Sequence, residues 1–239
     1  LVLIGLYHLF DNSKLIFQGG SALHIFYDNP RFSLDLDFVG KLKCDISTFS
    51  SWLTDILEII DSKASCSPIR KIGTPPLSRF WVKFSGKSFK ETIKIKIETF
   101  EASFPPYKAN LITLQRLPIK LNAIVNVETE DALLAQKICC LVSRKYVAVR
   151  DFFDIWYLRE IRKAVLTLDT FKIVNKNYGL TKKKIQVALE ELRKIEKSRL
   201  IELFKMIKPL LPETFNLDLI ADDVLNTTLD VLTDVLEFF

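Results

Sequence analysis

The sequence predicts an α+β fold: an N-terminal lobe of mixed β-sheet flanked by helices, followed by an all-helical lobe. Three observations carry this. Residues 33–39, 79–86 and 92–100 alternate apolar and polar side chains with period two, as half-buried strands do. Beyond residue 120 the apolar residues recur instead at helical spacing. Between the two patterns lies a proline-bearing stretch, FPPYKANLITLQRLP, so the lobe boundary is expected within 104–122, giving lobes 1–120 and 121–239.

Taken in order, residues 1–10 read as the end of a helix that DNS at 11–13 breaks. LIFQ is a short strand or turn entry. Gly19 and Gly20 free the backbone, and SALHIFYD follows as a helix with Ser21 near its start. DNPR turns the chain into the strand SLDLDFV. Residues 46–61 are helical, and SPIRKIGTPPL is a loop rich in turn formers. RFWVKFSG and TIKIKIETF are two strands with SGKSFKE as their hairpin loop. ETEDALLAQKICCLVSRKY and RDFFDIWYLREIRKA are helices, and Thr181 caps a long helix through about Lys208. In the tail Leu217, Ile220, Val224, Val231 and Val235 recur at helical spacing, with Thr228 the one polar residue in that row.

Composition bounds the function. The chain has 239 residues, 49% hydrophobic and 26% charged, which is globular rather than disordered. No apolar run approaches the roughly 20 residues of a membrane span. LVLIGLYHLF is about half that length and lacks a basic start and a cleavage site, so no signal peptide is expected. The first residue is Leu rather than Met, so a preceding segment is expected. The four cysteines form no CxxC and only two His are present, which weakens zinc and Ser-His chemistry. Reduced thiols in a cytoplasmic protein are the expectation.

The net charge of +5 is unevenly spread. Residues 137–208 hold 18 basic and 8 acidic side chains, whereas 209–239 hold 7 acidic and no basic ones. The basic block suits an anionic ligand such as nucleic acid, and equally suits solvated helix faces. The acidic tail is expected to pack within the chain, drawn by the opposite charge beside it.

Chemistry concentrates in FQGGSALHIFYDNPRFSLDLDF. Side chains at i and i+2 of a strand share a face, so Asp35 and Asp37 project together while Leu34, Leu36 and Phe38 pack the other way. Two adjacent carboxylates repel unless a cation lies between them, and hard oxygen ligands on a strand suit Mg²⁺. In KIKIETF, Lys94, Lys96 and Glu98 share one face. If that strand lies beside the first, Glu98 joins Asp35 and Asp37 as a two-metal site for phosphoryl chemistry. The Gly-Gly-Ser corner opens a helix, whose free N–H groups favour an anion. Gly20 lets a phosphate approach and Ser21 adds a hydroxyl donor.

GGSAL, RFSLDLDF, KIE, the helix DALLAQK and the helix start RDFFDIW together resemble the AbiEii-type nucleotidyltransferase toxins of the DNA-polymerase-β-like nucleotidyltransferase superfamily. The resemblance spans residues 15–160. It implies metal binding by Asp35 and Asp37, and a Lys-x-Glu motif at Lys96 and Glu98 that contributes to the nucleotide and metal site. It implies an Asp-to-Lys motif at Asp131 and Lys137, a lone Asp at Asp151, and a cleft between the lobes with Lys137 on the triphosphate. Glu98 stands where the superfamily more often has Asp. The implied activity is Mg²⁺-dependent transfer of NMP from an NTP to an acceptor, foremost the 3′ end of tRNA. The implied setting is a bacterial toxin–antitoxin or phage-defence system with a cognate antitoxin protein. A protein or small-molecule acceptor, and an inactive nucleic-acid-binding relative, are the alternatives.

Each residue has a structural alternative. Ser21 can be a plain N-cap, Glu98 a partner of Lys96, Lys137 a snorkelling helix lysine and Asp151 a helix-start carboxylate. Arg31 and Ser33 suit a turn contact as well as a phosphate. His24, Phe152 and Trp156 read as packing.

Overall fold

The structure is a computed structural model. It describes the chain apart from residues 74–76, 88–90, 115–119 and 145 and the side chains of Lys197 and Leu217. The chain divides into two compact units, one comprising residues 1–22 and 34–128, the other residues 23–33 and 129–239.

The first unit is built on an eight-stranded mixed sheet among the described residues. Its strands are β1 (Ile16–Gln18), β2 (Asp35–Val39), β3 (Ser62–Cys66), β4 (Arg70–Ile72), β5 (Leu77–Gly86), β6 (Ile93–Phe100), β7 (Tyr107–Leu114) and β8 (Leu121–Glu128). The order is β3-β5-β6-β2-β1-β8-β7, with β4 also paired to β5. β1–β8 and β2–β6 run parallel and the other pairs antiparallel. Helix α1 (Val2–Leu9) packs on β8 and on α3 (Ile46–Glu58), which packs on β3. Asp45 caps α3 by accepting from the Thr48 amide. Phe17, Phe38, Phe49 and Phe80 fill the core of this unit. Leu36 and Phe38 of β2 are buried as their spacing requires, whereas Leu34, just before the strand, is 62% exposed.

The second unit is helical. It holds α4 (Glu130–Ser143), α5 (Val149–Trp156) continued by a π turn at Tyr157–Ile161, α6 (Leu168–Asn175), α7 (Lys182–Arg193), α8 (Lys197–Phe204) and α9 (Ala221–Leu236). Thr129, Thr167 and Thr181 cap α4, α6 and α7 with side-chain oxygens. α9 packs on α5 and α7, burying Val224, Thr228, Val231, Leu232 and Val235. No helix of the described residues is long and apolar enough to cross a membrane.

Helix α2 (Gly19–Phe26) begins two residues earlier than its capping serine suggests, because Gly19 takes a left-handed φ of +78° at its entry. The helical reading beyond residue 120 fails for Leu121–Glu128, which is strand. Ala123, Val125 and Val127 turn inward, and the segment pairs with β1 and β7. β3 and β4 were also unforeseen, β4 lying within the expected loop. The long helix after Thr181 breaks between Arg193 and Lys197. An unbroken helix would carry Glu196 and Arg199 onto the stripe that Ile185, Leu189 and Leu192 bury. The centre of the expected SGKSFKE hairpin loop, Pro75 and Pro76 of the 67–77 loop and part of the 104–118 stretch lie outside the described residues.

Candidate active site

The pairing of β2 with β6 assembles the site of the first unit. Asp35 stands beside Lys96 and Asp37 beside Glu98, so all four side chains share one face of the sheet. α1 and α3 cover the other face, toward which Phe38 points. The Lys96 ammonium lies 2.9 Å from Asp35 Oδ2 and 3.1 Å from Glu98 Oε2. Burial works to lower the Lys96 pKa, but Asp35 and Glu98 outweigh it and hold the group above its ordinary value. Glu98 Oε1 accepts from the Arg79 guanidinium of β5, whose residue faces Glu98 across the strands. Both Glu98 oxygens therefore face cations.

The glycine corner lies against this face. A Cβ on Gly19 would meet Asp37 Oδ2 at 2.8 Å, so the absence of a side chain there is what lets the helix start approach the carboxylate. Ser21 is buried, and its hydroxyl donates to the Asp35 backbone carbonyl, tying the first turn of α2 to the start of β2. Gly20 lies in that same turn.

Asp35, Asp37 and Glu98 are the carboxylates of β2 and β6 on this face. Among the described residues no group of three or more His, Cys, Asp or Glu is arranged as a metal cage. Asp35 and Asp37 nonetheless fit Mg²⁺, which commonly binds one or two carboxylates and takes its other ligands from water and substrate phosphates. Lys96 bridges Asp35 and Glu98.

The second unit buries its own charge cluster. Arg31 binds Asp154 in a fork, Nε to Oδ1 at 2.9 Å and Nη2 to Oδ2 at 2.7 Å. Lys137 lies 2.8 Å from Asp154 Oδ2 and 3.8 Å from Asp151 Oδ1, and Arg144 lies 3.2 Å from Asp151 Oδ2. Asn29 also donates to Asp154 Oδ1, at 3.2 Å. Asp151 and Asp154 are both fully buried. Burial pushes both carboxyls up. For Asp154 the Arg31 and Lys137 charges outweigh it and hold the group well below the carboxylate range, whereas Asp151 stays raised despite Lys137 and Arg144. Neither Asp151 oxygen has a hydrogen-bond partner among the described residues. Lys137 is buried too, and Asp154 and Asp151 hold its pKa up against that burial.

The sequence-predicted residues thus fall into two constellations. Gly20, Ser21, Asp35, Asp37, Lys96 and Glu98 converge in the first unit, while Lys137 and Asp151 meet in the second. Asp131 sits in the first turn of α4, where its Oδ1 accepts from the Val165 amide at 2.8 Å. His24 Nδ1 donates to the Asn29 carbonyl at 2.7 Å, and Phe152 and Trp156 are packed inside. Sequence reasoning missed Arg79, Arg144 and Asp154. Asp154 carried a usable signal, because DFFDIW sets an aspartate into a helix that buries nearly every position.

The family model for the nucleotidyl transferase AbiEii toxin of type IV toxin–antitoxin systems matches residues 2–224. No curated protein sequence matches the chain. Among solved structures, JHP933 from Helicobacter pylori superposes with a TM-score of 0.61 at 18% identity, covering 99% of this chain and 89% of that one. A second H. pylori structure, of a protein provisionally described as a nucleotidyltransferase, gives a TM-score of 0.60 at 18% identity, with 99% and 92% covered. At that identity the two structures establish the likeness of fold alone. The family match spans nearly the whole chain, including both aspartates of β2: the protein belongs to the AbiEii nucleotidyltransferase toxin family of type IV toxin–antitoxin systems.

Proposed function

We propose that the chain transfers a nucleoside monophosphate from an NTP to the 3′ end of tRNA, dependent on Mg²⁺, in the bacterial cytoplasm. An NTP substrate and an antitoxin counterpart follow from the family. The observation that carries the rest is the β2–β6 register, which lines up Asp35 and Asp37 with Lys96 and Glu98 on one face beside the Gly19 turn.

Asp35 and Asp37 would hold the metal, with Glu98 as the third carboxylate. When bound, Mg²⁺ supplies charge neutralisation at the phosphates. The chain's own residues do the remainder. The Gly19–Gly20 backbone admits the phosphate tail at a helix start. Lys96 adds a positive charge beside the carboxylates, and Lys137 is the lysine assigned to the triphosphate. The acceptor 3′-hydroxyl oxygen bonds to the α-phosphorus, the α–β phosphoanhydride bond breaks, and pyrophosphate leaves. The hydroxyl proton passes to a carboxylate; in this reading that is Glu98, which would have to release Arg79 or Lys96 to accept it. Asp154, at 2.8 Å, and Asp151, at 3.8 Å, would position Lys137, and Asp151 would also attract Arg144 at 3.2 Å.

An RNA acceptor is favoured by charge. The 137–208 stretch is strongly basic, and a cavity of about 820 Å³ between the end of α4 and the start of α7 is lined by Arg144, Tyr146, Tyr178, Lys183 and Lys184. The deciding experiment incubates the protein with Mg²⁺, each α-³²P-labelled NTP in turn, and total RNA plus total protein, beside Asp35→Ala and Asp37→Ala. Label on small RNA that vanishes in both variants is the expected result. Label on protein instead would replace the acceptor with a polypeptide.

A further inference from the structure

Lys83 and Lys94 stand directly opposite one another across β5 and β6, and Arg70 stands directly opposite Arg79 across β4 and β5. Like charges facing each other across strands destabilise a sheet. The pairs lie on the face that carries Asp35 and Asp37, because the register runs from Asp35 to Lys96 and from Lys96 to Trp81. Among the described residues no carboxylate makes an ion pair with Arg70, Lys83 or Lys94; of the four cations only Arg79 is matched, by Glu98. Trp81 sits between the two like-charged pairs and is 37% exposed. Its backbone is tied to Ser67 on both sides, the amide to Ser67 Oγ at 2.9 Å and the carbonyl to the Ser67 amide at 2.9 Å. Arg70, Arg79, Trp81, Lys83 and Lys94 together line a cavity of about 360 Å³.

We propose that this face of β4, β5 and β6 is the track on which the single-stranded end of the acceptor nucleic acid lies on its way to Asp35 and Asp37; the proposal rests on the RNA-acceptor reading above. Each element has a part. An exposed indole on a backbone tied at both its amide and its carbonyl is a stacking platform for a base, tolerant of sequence. Cations unmatched by carboxylates on either side accept the sugar–phosphate backbone, and a phosphate between two facing cations removes their repulsion. The track begins two strand spacings, about 10 Å, from the column of Asp35, so the nucleotide next to the reacting end reaches it without a long excursion. An acidic polypeptide would satisfy the cations, but it would leave the exposed indole without a flat partner.

The test measures fluorescence anisotropy of a labelled single-stranded RNA of about 12 nucleotides, within the span such platforms cover. It uses the full chain, Trp81→Ala, and the double variant Lys83→Gln/Lys94→Gln, across a salt series. The track predicts about tenfold weaker binding for Trp81→Ala with an unchanged salt slope. For the double variant it predicts a log–log salt slope shallower by about 1.4, two lost phosphate contacts at roughly 0.7 each. Thermal stability of the double variant is expected to be equal or higher, because a like-charged pair has gone. Wild-type binding in both variants, or no RNA binding by the wild type at low salt, overturns the proposal. So does polyglutamate binding the wild type more tightly than RNA, which would make the face an acidic-protein surface. The labelled-NTP assay separates this from the parent reading. Transfer to RNA with an unchanged KM for RNA in both variants sinks the track and leaves the transferase reading standing. RNA binding lost in the variants without transfer to RNA from any NTP does the reverse.

Discussion

Arg31 grips Asp154 from 123 residues away, with both arms of the fork between 2.7 and 2.9 Å and both side chains almost fully buried. Removing one partner strands a charge in the interior, which costs about 3–5 kcal/mol. Asp154→Ala is therefore expected to lower the urea unfolding free energy by that amount. The double change Arg31→Met/Asp154→Leu is expected to recover only part of it, since the guanidinium goes with its partner but buried Lys137 loses its 2.8 Å contact and keeps only Asp151 at 3.8 Å.

The two buried aspartates have opposite pH signatures. The Asp154 pKa falls from 3.8 to about 2 on folding, so its contribution is present above the unfolded value and is lost as pH drops from about 4 through 2. Asp151 is raised, so its contribution is full below its unfolded value and is lost as pH rises through the folded one. Asp151→Asn is accordingly expected to raise the melting temperature at neutral pH while transfer activity falls. Asp154→Asn is expected to lower the melting temperature. Differential scanning calorimetry at pH 4 and pH 7 reads both signs.

Gly19→Ala tests the close approach of helix and carboxylate. The left-handed φ alone costs about 1–2 kcal/mol, and the new methyl would press on Asp37 Oδ2. The expected outcome is a folded protein, modestly less stable, whose kcat falls more than tenfold. An unchanged kcat would mean that the position of Asp37 does not matter for turnover.

Asp37→Ala and Asp35→Ala should each leave stability within about 1 kcal/mol and reduce transfer by at least a thousandfold, if the pair carries the phosphoryl chemistry. Single-turnover kinetics with the preferred NTP checks this without interference from product release.

Leu232→Ala in α9 is expected to cost about 2–5 kcal/mol, as a fully buried leucine does. Loss of partner binding with no loss of stability would contradict the intramolecular packing of α9 on α5 and α7.

Much of this was legible because strong periodicity reports burial on one face. β2, β5 and β6 alternate cleanly, but that β6 lies beside β2, the condition on which Glu98 joined the two aspartates, comes from the strand pairing and not from the alternation. β7 left little trace because it is an edge strand with no fully buried position. β3, SKASC, lacks aromatic and β-branched residues. β8 hid because Ile124 points outward while Glu128 is buried, blurring the alternation. Arg79 was invisible as a site residue since only strand pairing sets it against Glu98. The Arg31–Asp154 fork could not be read from either motif alone, because no local rule links a turn arginine to a helix aspartate so far along the chain.

Neither unit is a continuous stretch of chain. The parallel β1–β8 pairing waits for residue 126, and the anchor of Arg31 waits for residue 154. On a ribosome adding about 5–20 residues each second, β2 emerges seconds before either closure can occur. Such long-range contacts also slow folding in free solution. In a chain wired this way the two aspartates of β2 are synthesised early, and the pairings that hold their strand in place are completed only once the second half of the chain has followed.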